Sequence, residues 1–274
     1  ETPRILQCSG IGPSEILRAA GIPAQIDLPG VGANFHDHVR VGMLYQTGRT
    51  SPGSRRNWVA GLVRYLLHRD GVMASNCCES GAFFCSRPSL AVPDIELITH
   101  FQTFGPKGEV DIEVCLVTPK SRGRIFVNPN DPFGLPLVDA NFLAHEDDMA
   151  ALAAAVRRVQ SIAEQPALRE FPLLSANSPA ATACNEAAVR AAILATASTA
   201  YHPCGSCAMG PFDAGALAPD LRVHGVENLW VADASAMPSS PSGNIACAVV
   251  VLAEKAVDLI IARSAPNIPR LPNC

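Results

Sequence analysis

The sequence predicts a mixed α/β or α+β fold with an antiparallel sheet backed by helices. Three observations carry this. Strand-like alternation clusters between residues 39 and 128, longer helical periodicities follow it, and the chain is apolar enough to bury a core. Of the 274 residues, 48% are hydrophobic and 17% charged, which excludes global disorder. Lys and Arg number 21 against 25 Asp and Glu, a net charge of −4, so no basic excess points to nucleic acid or an anionic membrane. The longest apolar stretch, residues 245–262, is interrupted by Glu254, Lys255 and Asp258. It therefore reads as a core helix and not as a transmembrane segment.

Taken in order, Ser14–Ala20 reads as a short helix with Ser14 as its cap and Gly21 as its stop. Residues 22–29 are extended and residues 30–34 turn. Val39, Val41, Met43 and Tyr45 alternate along a strand, Val39–Thr47. Residues 57–68 place Trp58, Val59, Leu62, Val63, Leu66 and Leu67 on one helical face. Residues 81–86, 95–101 and 111–118 are strands. Lys120–Gly123 is a turn, across which residues 111–118 pair with 124–128 as an antiparallel hairpin. Residues 131–136 form a loop, and His145–Gln165 is a long Ala-rich helix that stops before Pro166. Asn185–Ala195 is a second helix. Val226–Ala232 is an apolar strand of the kind buried on both faces, and Ala248–Ala262 is a closing helix.

The chain opens at Glu1 without a start Met, a basic n-region or a signal-peptide pattern, and is expected to be part of a longer parent. Its 10 cysteines are scattered in mostly apolar context, which reads as buried free thiols in a reducing compartment and not as a disulfide framework.

Several residues could carry chemistry. Gly30-x-Gly32 lacks the third glycine and the acidic partner of a dinucleotide fingerprint, and reads as tight turns. His36 and His38 flank Asp37, but a metal needs three or four converging ligands, so a structural role beside the turn is expected and no metal site. Cys204-x-x-Cys207 would suit thiol–disulfide exchange at a helix start, yet Gly205, Gly210 and Pro211 argue against a helix there. His202 stands in a Pro/Gly-rich loop and reads equally as a base or as a structural histidine. Leu229–Asp233 ends an apolar run in an acid followed by small residues, a usual place for a ligand. Asn244 precedes a helix, as an N-cap or as an amide offered to a substrate oxygen.

Together these segments resemble the glucose–methanol–choline (GMC) flavoprotein oxidoreductases, the choline dehydrogenase-like branch in particular. Thr2-Pro3-x-Ile5-Leu6-x-x-Ser9-Gly10-Ile11-Gly12-Pro13 is similar to the downstream part of that family's second signature. Pro29–Asn34 followed by Asp37-His38 resembles its PGVGxNLxDH segment, and Pro119–Gly123 its substrate-domain hairpin. Tyr201–Ser206 resembles its YHPxGT stretch. Leu221–Val226, Val231–Ser235 and Ala253-Glu254-Lys255 match its C-terminal portion. The resemblance implies FAD-dependent oxidation of an alcohol to an aldehyde or ketone. His202 would take the hydroxyl proton, Asn244 would hold the alkoxide oxygen, and hydride would pass to the flavin N5. Tyr201, Asp233, Ala234, Asn244 and Ile245 would line the FAD.

The chain also departs from that pattern. Ile245–Val249 replace the second Asn, the Pro and the Thr that often follow the position of Asn244, and Ala218 stands where Asp is common. The family's N-terminal GxGxxG and its acidic ribose partner are not in this chain, so the GMC-type fold is expected to lack its Rossmann half here. The expected organisation is residues 1–40 and 196–264 as returning pieces of the FAD domain, residues 41–195 as the substrate domain, and residues 265–274 as a tail. The expected partners are a small-molecule alcohol and the missing FAD-binding half. An inactive or binding-only piece, and a hydroxynitrile lyase of the same fold, stay open as other readings.

Overall fold

The computed structural model describes residues 1–47, 55–76, 78–102, 109–168, 173–174 and 178–264; the expected tail lies outside them. The elements run α1 (Thr2–Cys8), β1 (Ile11–Gly12), α2 (Ser14–Ala19), β2 (Ile26–Asp27), β3 (Val39–Thr47) and α3 (Arg55–His68). Then come β4 (Cys78–Phe84), β5 (Ile95–Gln102), β6 (Glu109–Leu116), β7 (Arg124–Phe126), β8 (Leu137–Asp139) and α4 (Glu146–Ala163). The last are β9 (Leu173–Leu174), α5 (Pro179–Thr182), α6 (Glu186–Thr196), β10 (Ser198–Thr199) and α7 (Ala246–Ser264). The chain divides into two compact units, one of Glu1–Asp37, Ser121–Phe142 and Tyr201–Cys274, the other of His38–Lys120 and Leu143–Ala200.

The second unit is the expected antiparallel sheet backed by helices. Its strand order is β10-β3-β6-β5-β4, with β9 also pairing β3. Val39 lies opposite Leu116, Val41 opposite Val114 and Met43 opposite Ile112. Ile95 and Leu97 extend the same rows on β5. All of these side chains are buried, because a two-residue repeat puts every apolar residue of the alternation on one face. Helix α4 lies against β6 and β5 and buries Met149, Leu152, Val156 and Val159 at helical spacing. Each such side chain contributes roughly 1.5–3 kcal/mol. His145 caps α4 by accepting the Asp147 N–H on Nδ1 at 3.1 Å, and the acidic first turn complements the helix dipole. The opposite face of the sheet is polar, carrying Arg40, Glu96, His100, Asp111 and Glu113 at alternate positions. Helix α3 leaves Trp58, Val59, Val63, Leu66 and Leu67 exposed.

The first unit packs a core of Leu6, Leu28, Val31, Leu217, Leu221 and Val231. Helix α7 meets that core through Leu252, Ala256 and Leu259, while Val250, Val251, Val257 and Ile261 stay exposed. Gln7, fully buried on α1, is the polar tie of the unit. Its amide donates to the carbonyls of Val31 (3.2 Å) and Ile125 (3.1 Å) and its oxygen accepts the Val127 N–H at 2.8 Å. Helix, turn and hairpin are thereby held together without an unpaired group on that side chain.

Three local expectations are corrected. Residues 124–126 pair with β8, not with residues 111–118; the 131–136 loop joins the two strands of that hairpin. Val226–Ala232 is not a strand: Gly225 and Asn228 adopt positive φ of 75° and 57°, and the extended part makes only an isolated bridge, Arg222 to Trp230. Ser14 does not cap α2 with its side chain. Pro13 holds the cap position, and the Ser14 N–H is instead satisfied by the Asp27 carboxylate at 2.9 Å.

Candidate active site

His202 follows a residue in a conformation that non-glycine residues seldom adopt: Tyr201 has φ 64° and is mostly exposed. The His202 backbone N–H donates to Oδ1 of buried Asp37 at 2.9 Å, which fixes the half-buried histidine in place from the main chain. Cys204 and His36 exchange backbone hydrogen bonds of 2.9 and 3.1 Å. Beyond it, the N–H groups of Gly205, Cys207 and Met209 donate in turn to the carbonyls of Ala234, Ser235 and Ala236. The loop that carries His202 is thus laced to the segment that follows Asp233.

Asp233 and Ala234 contribute in different ways. The Asp233 carboxylate caps the turn 234–236, accepting the Ser235 N–H at 2.8 Å and the Ser235 hydroxyl at 2.5 Å. Its other oxygen accepts the Thr2 hydroxyl at 2.6 Å. Asp233 is therefore occupied with building the loop. Ala234 is half-buried and gives its carbonyl to Gly205. Asn244 is exposed, and Ile245 is buried with its carbonyl accepting the Val249 N–H, the first turn of α7.

Asn34 joins the two loops. Its amide donates to the carbonyls of Gly205 (3.3 Å) and Pro238 (3.2 Å), and its oxygen accepts Arg122 Nε at 2.9 Å. Asn34 also takes a left-handed φ of 56°, which asparagine tolerates better than most residues. Sequence reading named neither Asn34, Asp37 nor Arg122 as a site residue. The signal was the Pro29–Asn34 motif with Asp37, which was read as a turn and as a family-like segment without a role for either side chain.

Burial keeps His36, Cys204 and Cys207 neutral within this scaffold. His36 is buried, and its Nδ1 lies 2.7 Å from the Asn34 carbonyl, so that nitrogen carries the proton. Burial first, opposed by that hydrogen bond and aided by the Arg122 charge, holds the ring below the ordinary histidine range. Cys204 and Cys207 are buried free thiols, and burial pushes each up to about 12. Thiols held protonated in this way are poorly suited to thiol exchange.

The glycines near residue 30 serve close approach of backbones. A Cβ on Gly32 would stand 2.0 Å from the Ile125 carbonyl oxygen, and one on Gly30 would stand 2.4 Å from the Gly215 carbonyl carbon. Both glycines are thus accounted for by backbone packing, as tight turns require. Among the described residues no group of three or more His, Cys, Asp or Glu is arranged to hold a metal, and no helix is long and apolar enough to cross a membrane.

Residues 119–253 match the family described as GMC oxidoreductase. An alcohol dehydrogenase (acceptor) of Pseudomonas putida is 33% identical over 273 residues, 95% of this chain and 49% of the relative. An oxygen-dependent choline dehydrogenase of Paraburkholderia phymatum is 36% identical over 276 residues, 96% of this chain and 48% of the relative. Among solved structures, pyridoxine 4-oxidase from Mesorbium loti aligns with a TM-score of 0.79 at 25% identity, over 98% of this chain and 50% of that one. Formate oxidase of Aspergillus oryzae RIB40, in a structure concerned with FAD modification, aligns with a TM-score of 0.85 at 26% identity, over 96% of this chain and 52% of that one. The chain spans about half the length of the curated relatives it matches.

Proposed function

The chain belongs to the GMC oxidoreductases, whose C-terminal region it carries, and from that premise we propose that it supplies the proton-handling half of an alcohol oxidoreductase. The observation that carries this reading is the lacing of two loops through Asn34, one holding His202 and the other leading to Asn244. In this reading a ring nitrogen of His202 takes the proton of the substrate hydroxyl. The Asn244 amide donates to the resulting oxygen without competing for the proton. A positioned base contributes roughly 10²–10⁴-fold in rate.

The residues present fit the ring end of a flavin and not its nucleotide end. The Asn244–Ile245 backbone leads into α7, whose first amides have no carbonyl within the helix to bond. Among the described residues no glycine-rich phosphate cradle accompanies them. When bound, FAD would supply the hydride acceptor that turns deprotonation into oxidation. Residues 1–40 and 196–264 belong in this scheme to the FAD-side domain and residues 41–195 to the substrate side. In this scheme the FAD-binding half, which the relatives' additional length would supply, is the partner.

The test is turnover by the full-length protein on a panel of primary and secondary alcohols, with oxygen and with a dye acceptor. His202→Ala is expected to lower kcat by roughly 10²–10⁴-fold while flavin absorbance persists. Cyanohydrin cleavage without flavin reduction would point to a lyase. A protein that neither takes up FAD nor turns over any alcohol would make this chain a binding piece.

A further inference from the structure

We propose that Cys78 is an activated thiol, a site at which the protein forms covalent bonds with small uncharged electrophiles. The proposal stands independently of the alcohol chemistry. It begins with strand register. On β4, Ser80 pairs with Thr99, and a regular strand would keep Cys78 on the same, apolar face as Ser80. A β-bulge between Cys78 and Ser80 shifts the pairing by one residue, so Cys78 lies opposite His100 instead. A one-residue slip moves a side chain to the other face. Here it delivers an exposed thiol to the polar face of the sheet.

The neighbours on that face are those a nucleophilic thiol needs. Cys78 Sγ lies 3.2 Å from His100 Nδ1. The other ring nitrogen, Nε2, is buried, makes no hydrogen bond among the described residues, and lies 3.5 Å from Glu113 Oε2. Three strands thus supply nucleophile, base and orienting acid within reach of one another. Among the described residues the imidazole also faces Asp111, directly opposite on β6, and Arg40, whose Nη1 holds Glu113 at 2.7 Å. This mostly acidic surround disfavours an anionic reagent.

In the step itself the Cys78 S–H proton moves to His100 Nδ1, with Nε2–H turned toward Glu113. The sulfur electron pair attacks an electrophilic carbon and a C–S bond forms. With iodoacetamide as the probe, the C–I bond breaks and iodide leaves. The imidazolium then gives its proton to water.

The intact chain contains its own controls. Cys184 and Cys247 are exposed free thiols, and neither carries a hydrogen bond to histidine among the described residues. Alkylation is timed with iodoacetamide and with iodoacetate at pH 6.5 and 9.5, and each cysteine is read by peptide mass spectrometry, with fragmentation separating Cys78 from Cys77. At pH 6.5 iodoacetamide is expected to label Cys78 on the order of tenfold faster than Cys184 or Cys247, since an ordinary thiol is about 1% thiolate there. The advantage should be smaller with iodoacetate. His100→Gln should abolish it at pH 6.5 and leave labelling at pH 9.5 intact. A ratio near one in the unaltered chain at pH 6.5, or a ratio that H100Q leaves unchanged, overturns the proposal.

Discussion

Gly205→Ala should destabilise the first unit far more than the same substitution at Gly21. Both glycines are left-handed, with φ of 82° and 68°. An alanine at either therefore pays a conformational cost of about 1–2 kcal/mol. At Gly21 that is nearly all, because a Cβ there meets nothing within 4 Å, and the stiffer unfolded chain offsets part of it. At Gly205 a Cβ would stand 2.3 Å from His36 Cε1, 2.6 Å from His36 Nδ1 and 2.6 Å from the Asn34 carbonyl oxygen. None of these can yield cheaply. The imidazole is 2% exposed, and its Nδ1 proton bonds that same carbonyl at 2.7 Å. Overpacking of this kind costs about 1–3 kcal/mol, and loss of the hydrogen bond about 1 kcal/mol more. The expected gap between the two variants is therefore about 2–4 kcal/mol.

Urea unfolding can measure that gap for the first unit by itself. Trp58 and Trp230 are the two tryptophans, and only Trp230 belongs to that unit. In a Trp58→Phe background, Trp230 fluorescence reports the unit, and the shift in midpoint multiplied by the slope yields the difference. If G205A and G21A agree within about 0.5 kcal/mol, the close approach of residue 205 to residues 34–36 is wrong. The lacing of the His202 loop would then fall with it.

Gln7→Leu should cost about 2–5 kcal/mol in the same measurement, because it removes three hydrogen bonds and leaves the N–H of fully buried Val127 without an acceptor. Asn34→Asp keeps the left-handed backbone and the Arg122 contact but turns an acceptor toward the Gly205 and Pro238 carbonyls. Amide exchange in residues 202–206 should quicken by on the order of tenfold, and unchanged protection would refute the bridge. Stability should fall as pH rises from about 9 toward about 12, because the unfolded chain releases the Cys204 and Cys207 protons there while the folded chain keeps them. The slope is about 1.4 kcal/mol per pH unit for each thiol, and Cys207→Ala should remove one share. On the acid side the buried neutral His36 adds stability that is full above the ordinary histidine range and is lost as pH falls through it, so His36→Gln should flatten that limb of a urea-midpoint profile.

Periodicity made the second unit legible. Val39–Thr47 was readable to the residue because its alternation continues unbroken while one face is buried and the other polar. Helix α4 was readable from its Ala-rich length and the stop before Pro166, and α6 as a second helix, with His145 and Asn185 marking their starts. Short strands carry no such signal. The three residues of β7 suited a partner upstream or downstream, and nothing in their composition favoured Leu137–Asp139. Val226–Ala232 shows the converse limit. Apolar residues ask for burial but do not say in what conformation, and the positive φ angles at Gly225 and Asn228 decide against a strand.

The candidate site follows a different rule. His202 and Asn244 stand out as side chains in motifs, whereas the residues that hold their loops act mostly on main-chain atoms. Asp37 bonds the His202 amide across 165 positions, and Asn34 bonds the Gly205 carbonyl across 171. A side chain that pairs with a peptide group places no demand on the residue type at the other end, so neither partner leaves a mark in the sequence. The demand falls on the residue doing the bonding. At position 34 it must carry two amide donors and an acceptor and also tolerate φ of 56°. Asparagine meets all of these conditions at once; aspartate lacks the donors, and glycine has no side chain to reach either loop. The asparagine of the Pro29–Asn34 motif is therefore explained by the carbonyls it gathers, a reason that becomes visible only once the loops of residues 205 and 238 are folded beside it.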